Sequence, residues 1–134
     1  MTDNLSLNTS TDVSTFMNAC GQHTVNCFND FDHVCEPQAD LYFKLCSEEF
    51  NELVHAYVDG DIVEVADAIG DLIWVLQGLA YSVGIPLQPV WDEIARSNMS
   101  KVMPDGTVHK RADGKIQKPA TYSPPNIEQF FDQQ

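Results

Sequence analysis

Apolar positions recur every three or four residues through the long proline-free stretch from 38 to 85, which is the spacing of amphipathic helix and not of strand. From about Gln38 to Val58 the stripe is Leu41, Leu45, Phe50, Leu53, Val54 and Tyr57. Asp59-Gly60-Asp61 interrupts it, with Gly60 supplying a turn and Asp61 a cap. A further helix runs from Ile62 to about Val83 and stops at Gly84, with Pro86 just beyond. Two shorter helices flank this pair. The first spans Asp12 to about Cys20, capped by Ser10, Thr11 or Asp12 and apolar at Val13, Phe16 and Met17; the other spans Pro89 to about Lys101.

So short a turn makes the two long helices antiparallel neighbours. The predicted fold is all-α: an antiparallel helical hairpin with two flanking helices. The hairpin is apolar over a wider face than its own partner can cover. A four-helix bundle completed by oligomerisation, as a dimer or dimer of dimers, is therefore expected. Residues 1–134 read as a single domain. From about 104 to 134 the chain is an irregular basic and proline-rich tail, with a hairpin expected at Asp113-Gly114.

The acids change the picture. Glu48, Glu49 and Glu52 continue the apolar stripe of the second helix, while Glu64, Asp67 and Asp71 share one face of the third. Counted outward from Gly60, Glu52 faces Asp67 and Glu49 faces Asp71 at nearly equal height, given a rise of ~1.5 Å per residue. Two carboxylates 4 Å apart repel by about 4 kcal/mol at an effective dielectric near 20, so facing stripes call for a cation. An all-oxygen donor set suits Mg²⁺, or Mn²⁺, better than zinc. The plain alternative is a solvated acidic face, but these acids extend apolar stripes and do not oppose them.

Charge is also partitioned along the chain. Twenty acids against seven bases give a net charge of −13, which excludes nonspecific nucleic-acid binding and docking on an anionic membrane. Six of the seven bases fall between Arg96 and Lys118, so acids for metal are followed by bases for phosphate. No basic leader and no apolar run long enough for a bilayer is visible, and a cytoplasmic protein is expected. The four cysteines then read as reduced thiols; a zinc set from Cys20, His23, Cys27, His33 and Cys35 matches no standard spacing.

Glu48-Glu49-Phe50-Asn51-Glu52 matches an E-E-x-x-E signature, and Asp67-Ala68-Ile69-Gly70-Asp71 resembles the E-x-x-D segment that accompanies it. With Ser97-Asn98-Met99-Ser100-Lys101 and Asp113-Gly114-Lys115, the chain resembles the MazG-like all-α nucleoside triphosphate pyrophosphatases, which include phosphoribosyl-ATP pyrophosphohydrolases and dimeric dUTPases. It is most similar to their small, often phage-encoded branch, for which the compartment would be the host cytoplasm. One departure stands out. The family's usual Glu falls on Ala68, and the literal E-x-x-D is Glu64 to Asp67, so Asp67 and Asp71 replace the usual pair and Glu64 becomes an outer acid.

The resemblance implies Mg-dependent hydrolysis of a nucleoside triphosphate, with water, to the monophosphate and diphosphate. Such an activity controls a deoxynucleotide pool: dUTP, dCTP, or a purine triphosphate such as dGTP. Metal would be held by Glu49, Glu52, Asp67 and Asp71, with Glu64 outside them, and Glu48 would position or deprotonate the water. Asn98, Lys101, Lys115 and Lys118 would meet phosphate, while Phe16, Asn18 and His23 would read the base. The expected partners are the nucleotide and a second copy of the chain. A catalytically silent nucleotide- or metal-binding oligomeric module is the competing class, though such a module would be expected to lose these acids.

Overall fold

The computed structural model describes residues 6–25 and 36–131, so Cys27, His33 and Cys35 of the zinc set lie outside the described residues. Four α-helices are present among them: α1 (Thr9–Ala19), α2 (Glu36–Asp59), α3 (Ile62–Val83) and α4 (Leu87–Met99). The described residues contain no strand, only an isolated bridge between Lys110 and Ile116. The fold is all-α, as the periodicity predicts. The chain divides into two compact units, Met1–Ile85 and Pro86–Gln134. No single helix among the described residues is long and apolar enough to cross a membrane.

In the first unit, α2 and α3 form the hairpin. Gly60 turns between them with φ of 72°, a conformation that side chains with a Cβ resist. Asp61 caps α3, its Oδ1 accepting from the N–H groups of Val63 and Glu64 at 3.1 and 3.2 Å. A Cβ on Gly78 would overlap the Tyr42 ring, so this glycine lets the two helices close. Tyr42, Val75 and Tyr81 form the core with Val13 and Met17 of α1.

Helix α1 begins earlier than its apolar stripe suggests, at Thr9, and its Asn8 cap position makes no side-chain cap bond. Of the residues expected to cap it, Ser10 is engaged elsewhere, as is the hydroxyl of Thr9. Thr9 donates to Gln77 Oε1 at 3.1 Å, and the Ser10 and Tyr81 hydroxyls meet at 2.6 Å. Tertiary partners on α3 have outcompeted the local cap. The segment after α1 is held by buried Gln38, which pairs with both the N–H and the C=O of His23 and donates to Ser82 Oγ at 2.9 Å.

In the second unit, α4 starts at Leu87, so Pro89 sits within the first turn, where its missing N–H costs no intrahelical bond. The helix stops at Met99 and Lys101 lies just beyond its Ser100 cap, slightly short of the predicted end. The expected hairpin at Asp113-Gly114 is present: Arg111 N–H donates to Lys115 O at 2.8 Å and Gln117 N–H to His109 O at 2.7 Å. Residues 121–126 are then tied to α4. Ser123 N–H donates to Ser100 Oγ at 2.8 Å, and Asn126 N–H to Glu93 Oε1 at 2.8 Å.

Candidate active site

The hairpin brings four of the predicted carboxylates together. Burial raises the Glu49 carboxyl above its ordinary proton affinity, and Glu52, Asp71 and Asp67 push it further in that direction. Asp71 is raised in the same way, first by burial and then by Asp67 and Glu52. Acids of α2 and α3 thus act on one another across the hairpin, Asp71 on Glu49 and Glu52 on Asp71. Glu49 differs from its neighbours in one respect: its Oε2 is buried and has no hydrogen-bond partner.

Glu64 is not among the acids that act on Glu49 or Asp71; it stands in the first turn of α3 beside the Asp61 cap. Glu48 is exposed on α2, next to Glu49 in sequence. As the side chains stand, no three His, Cys, Asp or Glu among the described residues form a group that could hold a metal ion. The donor chemistry nevertheless fits a hard cation, since an orphaned buried carboxylate oxygen among like charges is the site a cation would satisfy.

The three residues expected to read the base each make contacts of their own. Phe16 packs edge-on against Trp74 with ring centroids 5.6 Å apart. Asn18 Oδ1 accepts from Thr24 Oγ1 at 3.2 Å, and the main chain of His23 is taken up by Gln38. A cavity of about 170 Å³ between α1 and α3 has a lining that includes Asn8, Thr9, Asp12, Gly70, Ile73 and Trp74. Asn8, Thr9 and Asp12 precede or flank the first apolar stripe and carry no motif. The absence of a side chain at Gly70, one residue from Asp71, was the available signal.

The bases of the second unit sort by chemistry. Arg96 forms a bidentate pair with Glu93, at 2.9 and 2.7 Å, and also reaches Ser123 Oγ and the Pro124 carbonyl. Arg111 pairs with Asp113 at 2.6 Å. Among the described residues, the lysines make no ion pair. Lys101 Nζ donates to Asn98 Oδ1 at 3.0 Å, and Lys101 and Lys118 lie over the Tyr122 ring at 5.9 and 4.9 Å from its centroid. Lys115, in the hairpin, is exposed. Tyr122 escaped the sequence reading because Thr-Tyr-Ser-Pro-Pro looks like ordinary loop.

No curated protein matches the chain. A family model described as phosphoribosyl-ATP pyrophosphohydrolase matches residues 29–98, which span both acid stripes and α4 as far as Asn98. By that match over more than half its length, the chain belongs to the phosphoribosyl-ATP pyrophosphohydrolase family, within the MazG-like all-α pyrophosphohydrolases.

Proposed function

We propose that the protein hydrolyses a nucleoside triphosphate to the monophosphate and diphosphate, using Mg²⁺ or Mn²⁺ held by Glu49, Glu52, Asp67 and Asp71. The observation that carries this reading is the buried, unpartnered Glu49 Oε2, set among three further carboxylates on facing helices. Bound there, the cation supplies positive charge to the phosphate oxygens and acidifies water. Glu48 takes the proton of the water whose oxygen attacks the α-phosphorus, as the bond from that phosphorus to the oxygen bridging to the β-phosphorus breaks. Asn98, Lys101, Lys115 and Lys118 provide donors for phosphate oxygens. Glu64, at the helix start, serves as an outer acid.

Substrate choice lies among dUTP, dCTP, a purine deoxynucleotide such as dGTP, and the phosphoribosyl-ATP of the family's name. The cavity beside Trp74 supports base recognition on that side of α3, with Phe16 bracing the indole. The reading includes a cytoplasmic homo-oligomer. Its support is the apolar surface left on the hairpin: Tyr57 and Val58 are each 77% exposed, Ile62 75% and Val63 71%.

A screen of the common ribo- and deoxynucleoside triphosphates, and of phosphoribosyl-ATP, for released diphosphate with and without Mg²⁺ tests the proposal. Metal-dependent diphosphate release from at least one of them is expected. Orthophosphate with a nucleoside diphosphate left behind, or no turnover of any, overturns it; the latter with retained nucleotide binding marks a silent module.

A further inference from the structure

Both arginines of the C-terminal unit are committed internally, Arg96 to Glu93 and Arg111 to Asp113. Lys101 and Lys118 instead share a single aromatic ring, Lys101 donating to Asn98 as well. Their ammonium groups lie over Tyr122, so they are separated by no more than the sum of their 5.9 and 4.9 Å distances to its centroid. Ring faces attract cations, but two like charges gathered on one ring repel each other. An anion between or beside them removes that repulsion.

The backbone that carries the ring is held in place. Thr121 Oγ1 donates to Ser100 O at 3.1 Å, Ser123 N–H to Ser100 Oγ, and the Tyr122 N–H to Pro119 O at 3.0 Å. Lys101 is steadied also by Asn98, whose Nδ2 is anchored on the Ile94 carbonyl at 3.0 Å. Ammonium groups act as separate point charges, unlike the fork of an arginine, and two of them suit a ligand with two anionic centres. Of Asn98, Lys101, Lys118 and Tyr122, only Asn98 falls within the matched family span.

We infer that Tyr122 is a positioning residue that gathers Lys101 and Lys118 onto one diphosphate group. That group is either the β- and γ-phosphates of a nucleotide or free diphosphate; its choice as ligand rests on the pyrophosphohydrolase reading above.

The test titrates the full chain with metal-free inorganic diphosphate, and separately with a nucleoside triphosphate carrying nitrogen in its α,β-bridge, which resists cleavage. Tyr122→Leu should weaken diphosphate binding by about two- to fivefold, and Tyr122→Phe, which keeps the ring, should restore it. Lys118→Met should cost at least as much. The Tyr122→Leu/Lys118→Met double variant should lose less than the product of the single losses, since both disrupt one cluster. Equal effects on the two probes assign the cluster to bound nucleotide and released diphosphate alike; an effect on free diphosphate alone assigns it to the product.

No diphosphate binding by the unmodified chain, wild-type binding by Tyr122→Leu, or multiplicative losses would overturn the inference. So would a Tyr122→Phe variant as weak as Tyr122→Leu. If Tyr122→Leu unfolds, Lys101→Met and Lys118→Met decide alone: losses in both, smaller in combination than their product, support it, and anything else rejects it. Intact diphosphate binding with this signature, alongside failure to hydrolyse any nucleotide, sinks only the pyrophosphohydrolase reading.

Discussion

Asp71 on α3 acts across the hairpin on Glu49 of α2, whose Oε2 is buried without a hydrogen-bond partner. Burial and three neighbouring carboxylates all disfavour the ionised form of Glu49, so in the metal-free protein this residue opposes folding at neutral pH. Glu49→Gln should therefore leave metal-free stability unchanged or raise it by about 1 kcal/mol, while lowering kcat by about a hundredfold or more. Urea unfolding in chelator, paired with a diphosphate-release assay, checks both halves. A large loss of stability would show that Glu49 is structural.

Gly78→Ala tests the closure of the hairpin. The added methyl meets the Tyr42 ring, whose hydroxyl is held by Gln22 Oε1 at 2.6 Å and so cannot swing aside freely. A destabilisation of about 1–3 kcal/mol is expected from overpacking. Chemical denaturation monitored by far-ultraviolet dichroism measures it.

Acid should release the C-terminal segment from α4. The Arg96 guanidinium and the Asn126 N–H hold Glu93 from an ordinary value of 4.5 down to about 2. A depressed carboxylate pKa contributes stability that is present above the ordinary value and is lost as pH falls through the folded one. The Asn126 amide resonance should therefore report loosening between pH 4.5 and about 2. In Glu93→Gln that titration should vanish, and a transition surviving in this variant would assign it to another group.

The exposed apolar face predicts self-association. Light scattering at micromolar concentration should give a multiple of 15.0 kDa, and Val58→Asp should reduce it while preserving helical content. A monomer in the unmodified protein would leave that face without its expected partner.

Much of this molecule is written in short-range sequence. Helix α3 runs from Ile62 to Val83 because Asp61 caps one end and Gly84 terminates the other, signals that act within a turn. The alignment of Glu49 with Asp71 followed from counting residues about Gly60, since helical rise is the same on both arms. The hairpin at Asp113-Gly114 was equally local, closed by Asp113 accepting from the Lys115 N–H at 3.1 Å.

Only the tertiary structure decided which member of each set matters. Periodicity puts Glu64 and Asp67 on one stripe, but the packing of α2 on α3 leaves Glu49 with a buried oxygen that has no partner and Glu64 at the helix start. The start of α1 depended on Gln77 and Tyr81, more than sixty residues away, because a hydroxyl takes the better-placed partner whatever its sequence distance. Six bases in a row look alike in sequence. Which are neutralised by Glu93 and Asp113, and which are gathered over Tyr122, depends on side-chain geometry across a folded loop, and composition does not encode that.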